Sequence, residues 1–300
     1  MSLRAALWRS NLLMSRGLLT CTATNAVRRK CRREENPPRN DMDAIMPWDP
    51  KQYHKFQAER SAPFFDLLAL VEIRPNLKVV DLGCGTGELT RQLADALPTS
   101  KVTGIDSSTS MLDAARATSF VSSNLRFEQG DQAQLTGEWD LIFSNAALHW
   151  SENHAELIPS LYRRLAPGGQ LAVQVPSNHN HISHQIYRET AGEEPFQSIL
   201  NGFQRYAPVL SIDEYAWLFF ESGAEEIVVF EKVYAHVLED SDAVVEWISG
   251  TALVPYFERL GEQKEEFVNA IRVKMRSAMP ETPVFYPFRR TLFSARKPIL

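Results

Sequence analysis

The chain has 300 residues, of which 44% are hydrophobic and 23% are charged, and its formal net charge is −5. This composition is typical of a globular enzyme with a full core, and the negative balance provides no basic field for nucleic acid. The chain has no apolar run long enough to span a bilayer, and its three cysteines lack metal or redox spacing. We predict a small-molecule substrate, with no nucleic-acid, membrane or obligate protein partner.

The first 45 residues differ in composition from the rest. Between Met1 and Arg33 there are eight basic residues and no acidic residue, and a polar segment follows over 34–41. Two interpretations fit: an organellar transit peptide, or a translation start placed too early, with the true initiator at Met42 or Met46. We favour the second, which predicts a leader over 1–45, one domain over 46–300 and a cytoplasmic location. A genuine transit peptide would make the location mitochondrial.

A helix predicted over 51–70 precedes a strand over 77–80, which enters a glycine-rich turn. The turn has the sequence DLGCGTG over 81–87, and an amphipathic helix follows it. Glycines let a backbone approach a ligand closely, and the amides at the start of the next helix point toward that ligand. The next predicted strand ends at Asp106, a position suited to hold a ribose. A turn without a ligand would explain the glycines but not Asp106.

The spacing of the glycines distinguishes two kinds of nucleotide site. The dinucleotide fingerprint is G-x-G-x-x-G, whereas here Glu88 stands where its third glycine is required. The G-x-G-x-G arrangement resembles motif I of class I S-adenosylmethionine-dependent methyltransferases. We therefore favour that cofactor over a nicotinamide.

Two further strands deliver polar residues to the same edge of the predicted sheet. The strand over 124–128 leads to Asp131, and the apolar strand over 139–144 leads to Asn145, His149 and Trp150. Ligands bind at the carboxyl ends of strands in open α/β sheets. The turn LAPGGQLAV over 165–173 then enters a fifth strand, and it is typical of the same superfamily.

The later part of the chain departs from simple strand–helix alternation. Two helical segments are predicted, at about 177–223 and 240–283, and strands are predicted over 226–230 and 284–295. Ser211 and Glu214 have the spacing of a capping box. We expect the helical segments to form a cap over the carboxyl edge of the sheet.

From Trp48 onward, the sequence resembles one particular family within this superfamily. The segments WDPKQYHKFQAERSAP, GIDSSTSML, LIFSNAALHW, LAVQVPSNHN, VVEWISGTALVPYFERL and YPFRRTLFSARK together resemble the trans-aconitate methyltransferases, over residues 48–297. The resemblance implies a Rossmann-like α/β fold with a seven-stranded, mostly parallel sheet, an antiparallel final strand and an α-helical cap. It also implies S-adenosyl-L-methionine as cofactor and a small polycarboxylic acid as substrate.

The resemblance assigns cofactor residues to the ends of the first four strands, with Asp131 as the acid that holds the adenine amino group. The predicted cofactor-binding residues are Asp81, Gly83, Cys84, Gly85, Gly87, Asp106, Ser107, Met111, Asp131, Gln132 and Asn145. We expect Cys84 to be a small side chain in this loop rather than a catalytic thiol, because the sequence places no base beside it.

Methyl transfer to a carboxylate requires no general base, because a carboxylate is already ionised at neutral pH. We therefore predict no catalytic acid–base residue. The remaining carboxylates of a polyacid need cationic partners, and arginine binds a carboxylate bidentately. The predicted substrate-binding residues are Tyr53, Arg60, His149, Trp150, Asn178 and Arg290.

Alternatives remain open for some of these residues. Arg60 has the alternative of a surface ion pair, and His149 that of a cap for the next helix. Arg289 and Arg290 are adjacent on a strand, so only one can point to a given face. His179, His181 and His184 hint at a metal, but we predict none because no carboxylate or cysteine has strong ligand spacing with them.

Two rival functions remain. One is a carboxyl methyltransferase for another small molecule or an acyl carrier, and the other is a non-catalytic cofactor-binding assembly factor.

Overall fold

A computed structural model describes residues 57–117 and 123–299 of the chain, with side chains from Ser61 onward. The predicted leader over 1–45 and the predicted substrate residue Tyr53 lie outside the described residues. Within them, no helix combines the length and the apolar character that crossing a membrane requires.

The described residues form a seven-stranded sheet in the order β3-β2-β1-β4-β5-β7-β6. Its strands are β1 Lys78–Leu82, β2 Lys101–Asp106, β3 Leu125–Gln129, β4 Trp139–Asn145, β5 Leu165–Pro176, β6 Glu225–Leu238 and β7 Val284–Arg296. Strands β1 to β5 are parallel, and β7 lies antiparallel between β5 and β6. The predicted fold, including the antiparallel final strand, is confirmed.

Helices connect the strands and cover both faces of the sheet. They are α1 Gln57–Leu68, α2 Glu88–Ala96, α3 Thr109–Ala117, α4 His154–Arg163, α5 Ile182–Ala191, α6 Phe196–Ile199, α7 Ile212–Glu221, α8 Ser241–Ser249, α9 Val254–Leu260 and α10 Lys264–Ala278. The helix predicted to reach residue 70 ends at Leu68. The predicted capping box is present at the start of α7, where Ser211 and Glu214 each accept from the other's backbone amide.

The connection from β1 leads to β2 toward one edge of the sheet, and the connection from β4 leads to β5 toward the other edge, so the strand order switches between β1 and β4. Such a switch in strand order opens a crevice at the carboxyl ends of the strands. The register aligns Asp81 of β1 with Gly104 of β2 and with Phe143 of β4. The loop after β1 therefore begins at this crevice.

Alternate residues of the central strands contribute to two separate cores. Val79 and Phe143 pack with α1 and α2, whereas Val80 and Ile142 pack with α4 and α7. This follows from the two-residue period of a strand, which sends neighbouring side chains to opposite faces. Continuous apolar runs in β1 and β4 are thus explained by burial on both faces.

A third core lies within the helical cap. It takes its buried side chains from α5, α6, α8, α9 and α10, together with the adjoining ends of β6 and β7. Helix α7, which the predicted segment 177–223 includes, instead buries Tyr215 and Phe219 in the core on the sheet. Strand β6 is longer than the predicted 226–230, because its pairing with β7 continues to Leu238 and Val284.

The separate core of the cap yields a prediction for stability. Ile271 of α10 is fully buried, whereas Val273 on the same helix is 68% exposed. Ile271→Ala should lower the free energy of unfolding by about 2–5 kcal/mol, because a buried aliphatic side chain is replaced by a cavity. Val273→Ala should change it by no more than about 0.5 kcal/mol. Urea unfolding followed by circular dichroism measures both, and equal losses would contradict this packing.

Candidate active site

A cavity of about 870 Å³ lies between the carboxyl ends of the parallel strands and the cap. Its wall contains every predicted cofactor residue except Gly87, and also four of the six predicted substrate residues: His149, Trp150, Asn178 and Arg290. Short 3-10 turns carry several of these side chains directly after β3, β4 and β5. The fold thus brings into one cavity residues that are up to about two hundred positions apart.

The glycines of the loop after β1 have different roles. Gly83 has φ 74°, and a Cβ there would lie 2.1 Å from the Cβ of Ala147, so the packing of two loops requires glycine. Gly85 has φ 54°, and a Cβ there would meet no protein atom within 4 Å. Because Gly85 lines the cavity, that open space is available to a ligand.

Gly87 does not line the cavity, and its assignment to cofactor binding stays a prediction. It precedes α2 with φ 74°, and a Cβ there would lie 2.5 Å from the ring of Phe127. The requirement for glycine at this position therefore comes from packing between the loop and β3.

Asp106 holds the glycine loop from the end of β2. Its carboxylate accepts hydrogen bonds from the amides of Gly85 and Ser108, each at 2.9 Å. The carbonyl oxygen of Ile105 also accepts from the amides of Gly83 and Cys84, at 2.7 and 3.0 Å. These contacts fasten the loop to the neighbouring strand while Asp106 lines the cavity.

Burial raises the pKa of two other side chains in the loop. Asp81 is 4% exposed and accepts from the hydroxyl of Thr90 at 2.7 Å. Burial raises the pKa of Asp81 to about 7, and the nearby carboxylate of Asp106 adds to the rise. Burial likewise raises the pKa of the Cys84 thiol well above its ordinary range. Cys84 is therefore a thiol at neutral pH, which agrees with its predicted role as a small loop side chain.

The loops after β3 and β4 supply hydrogen-bond acceptors and are linked to each other by a hydrogen bond. The carboxylate of Asp131 accepts from the amide of Ala133 at 2.8 Å. Gln132 donates to the hydroxyl of Ser151 at 2.7 Å and so links the two loops. The Oδ1 atom of Asn145 is buried and has no hydrogen-bond partner among the described residues. A buried acceptor of this kind is costly unless a ligand supplies a donor.

Basic side chains occupy another part of the wall. Arg290, at 7% exposure, lies 4.7 Å from the ring centroid of Phe288 and donates to the side-chain oxygen of Gln174 at 3.2 Å. Arg289, on the opposite face of β7, instead pairs with Glu231 at 2.6 Å.

His149 lies near Arg290 and Arg205. Burial lowers the pKa of His149 well below its ordinary value, and the two guanidinium groups lower it further. The ring is therefore neutral at physiological pH. Its buried Nδ1 atom has no partner among the described residues.

Two other predicted substrate residues, Asn178 and Arg60, are not shown to face a ligand. Both polar atoms of the Asn178 side chain are engaged: its amide donates to the hydroxyl of Tyr286 at 3.3 Å, and its oxygen accepts from the amide of Arg289 at 3.1 Å. Asn178 therefore braces the wall, and its role as a substrate contact stays a prediction. Arg60 lies in α1, and its side chain is outside the described part of the structure.

The three histidines that follow β5 do not form a common site, because His181 and His184 contact different residues. His181 accepts from the amide of Ser183 at the start of α5, and His184 contacts the hydroxyl of Tyr187 at 3.3 Å. Burial lowers the pKa of His184 to about 3. Within 57–117 and 123–299, no group of three or more His, Cys, Asp or Glu is arranged to hold a metal ion.

Sequence patterns missed some residues of the wall. Arg205 comes from the irregular segment between α6 and α7, and Tyr187 and Trp247 come from cap helices. Arg205 belongs to no motif, and the two aromatic residues fit the ordinary periodicity of buried helix positions. Only the folding of the cap onto the sheet brings them to the cavity.

Comparisons with known proteins identify the chain's relatives. Residues 73–219 match a family described as "Methyltransferase domain". A trans-aconitate 2-methyltransferase of Deinococcus radiodurans is 47% identical over 85% of this chain and 100% of its own length. One from Streptomyces coelicolor is 38% identical over 86% and 89%, and one from Mycobacterium tuberculosis is 35% identical over 83% and 96%.

Solved structures support the fold at greater distance. The YcgJ protein of Bacillus subtilis matches with a TM-score of 0.53 at 13% identity, over 79% of this chain and 98% of its own. The [4+2]-cyclase SpnF matches with a TM-score of 0.50 at 17% identity, over 81% and 82%. The name of the second shows that this fold alone does not decide a reaction. On the identity and coverage of its sequence relatives, the chain belongs to the trans-aconitate 2-methyltransferase family.

Proposed function

We propose that this protein transfers a methyl group from S-adenosyl-L-methionine to a carboxylate of trans-aconitate. The observation that carries the proposal is the separation of charge in the cavity. Asp81, Asp106, Asp131 and Glu88 lie on the side of β1 to β3, Glu152 follows β4, and Arg290 lies with Arg205 on the side of β7 and the cap. The first side suits hydroxyl and ammonium donors, and the second suits carboxylates. The name shared by the relatives supports trans-aconitate as the acid.

Two observations support placing the cofactor at the acidic side of the cavity. Space is open beyond the backbone of Gly85, and the buried Oδ1 of Asn145 has no partner among the described residues. In this proposal Asp106 accepts from the ribose hydroxyls, Asp131 from the adenine amino group, and Asn145 and Asp81 from the ammonium group. A cation beside Asp81 would lower its raised pKa and keep it ionised.

When bound, S-adenosyl-L-methionine supplies an electrophilic methyl group on a sulfonium, which a carboxylate oxygen takes up without any proton transfer. The protein then has to orient the acid and exclude water. Arg290 pairs with a carboxylate that is not methylated, and the neutral ring of His149 is a hydrogen-bond donor beside it. The cap excludes water. No general base is part of this proposal, as the sequence predicts.

The substrate is a free small molecule, and neither nucleic acid nor an obligate protein partner takes part. The location is cytoplasmic, with a mitochondrial location as the alternative if 1–45 is a transit peptide. Fractionation of cells that produce the full chain with a C-terminal tag distinguishes these locations. Tyr53 and Arg60 stay predicted substrate contacts.

The first prediction of this proposal concerns turnover. With labelled S-adenosyl-L-methionine, the protein should methylate trans-aconitate once, and the product should release methanol on alkaline hydrolysis, as an ester does. Citrate and crotonate provide comparisons, since citrate lacks the planar double bond and crotonate lacks the additional carboxylates. Methylation of an acyl-carrier-bound acid in preference to every free acid would overturn the proposed substrate.

A second prediction tests the cofactor side. Gly85→Val should weaken binding of S-adenosyl-L-methionine by about 1–3 kcal/mol, the usual cost of overpacking, because the side chain enters the open space. Gly223→Val is the matched control. Gly223 also has positive φ and open space, but it lies outside the cavity wall. Calorimetric titration of both folded variants measures the effect, and equal dissociation constants would contradict this placement of the cofactor.

A further inference from the structure

Arg205 occupies a bridging position between the sheet and the cap. Its guanidinium carbon lies 4.0 Å from the ring centroid of Trp150, and its Nη2 donates to the carbonyl oxygen of His149 at 2.9 Å. Its backbone amide donates to the hydroxyl of Tyr256, in α9, at 3.0 Å. The stacking and the two hydrogen bonds therefore hold this arginine from both sides of the cavity.

The surroundings of Arg205 leave its charge without an acidic partner. Among the described residues, no carboxylate lies within salt-bridge distance of its guanidinium group. Partial burial lowers the pKa of Arg205, yet a guanidinium stays cationic at neutral pH. A carbonyl oxygen and an aromatic face satisfy part of its donor capacity, and Arg205 lines the cavity. A partly desolvated cation in such a wall is suited to bind an anion.

Arg205 and Arg290 reach the same cavity from separate parts of the fold. Arg205 is placed by the cap, whereas Arg290 is placed by β7. Arg205 donates to the carbonyl oxygen of His149, and both arginines line the cavity together with that histidine. An acid bound there therefore meets two cations and a neutral imidazole. Two cations match an acid that retains two carboxylates beside the one that is methylated.

We infer that Arg205 is a specificity-determining residue, which binds one non-reacting carboxylate of a tricarboxylic acid while Arg290 binds the other. This inference rests on the proposed function and specifies the anion side of the same cavity. Arg205 takes no part in bond making, since no proton has to be moved. Its contribution is to distinguish acids by the number and position of their carboxylates.

The test compares trans-aconitate with mesaconate, which keeps the central carboxylate but has a methyl group in place of the carboxymethyl group. In Arg205→Gln, kcat/KM for trans-aconitate should fall about 100-fold, mainly through KM, because a charged pair with the substrate is lost. The loss for mesaconate should be about tenfold smaller, because one cation suffices for its single non-reacting carboxylate. Arg205→Lys should restore part of the loss, since it keeps the charge but not the bidentate geometry.

Arg259→Gln is the matched control. Arg259 also stacks on an aromatic ring of the cap, 3.7 Å from the centroid of Phe203, but it does not line the cavity. This variant should keep the wild-type preference between the two acids. Melting temperatures and dissociation constants for S-adenosyl-L-methionine should be unchanged in all variants, which separates a substrate effect from a folding defect.

Calorimetric titration of trans-aconitate into the protein with S-adenosyl-L-homocysteine measures acid binding without turnover. Equal losses for both acids in Arg205→Gln, or unchanged kinetics and binding, would overturn the inference about Arg205 alone. Trans-aconitate binding that depends on Arg205 but gives no methylated product would overturn the proposed reaction and support the anchor. Absence of binding by either acid to the wild-type protein would overturn both.

Discussion

The hydrogen bond from the amide of Gly85 to the carboxylate of Asp106 is the contact on which the cavity depends. It joins the loop after β1 to the end of β2, the neighbouring strand. The contact of Gly83 with Ala147 closes the opposite side of that loop. With the loop fixed on both sides, the backbone at Gly85 faces open space rather than protein. A site for a ligand follows from how the chain packs around it.

The distribution of charge around this space has a physical reason. Placing acidic and basic side chains in separate parts of the wall lets each part attract a ligand group of opposite charge. Burial also keeps Cys84 protonated and His149 neutral at neutral pH. The cavity is thus suited to align two ligands of opposite charge. Methyl transfer from a sulfonium to a carboxylate needs only that alignment.

The cap and the sheet form different parts of the cavity wall. Its aromatic core is separate from the two cores on the sheet, so its helices have their own packing. Tyr256 belongs to this core and also holds the backbone of Arg205. Changes in the cap can therefore alter the anion side of the cavity without changing the glycine loop. The fold is similar to that of a [4+2]-cyclase, and a fold by itself does not decide a reaction.

The sequence alone determined the features that depend on local chemistry. Short apolar runs predicted the buried strands, the glycine spacing predicted the loop, and Arg290 was assigned from its position on a predicted strand. The tertiary structure decided what depends on distant contacts. It showed that Gly87 serves packing against Phe127, that β6 continues to Leu238, and that Asn178 is engaged within the wall. It also placed Arg205 in the cavity, because an irregular loop carries no periodic signal and takes its position from the residues it meets after folding.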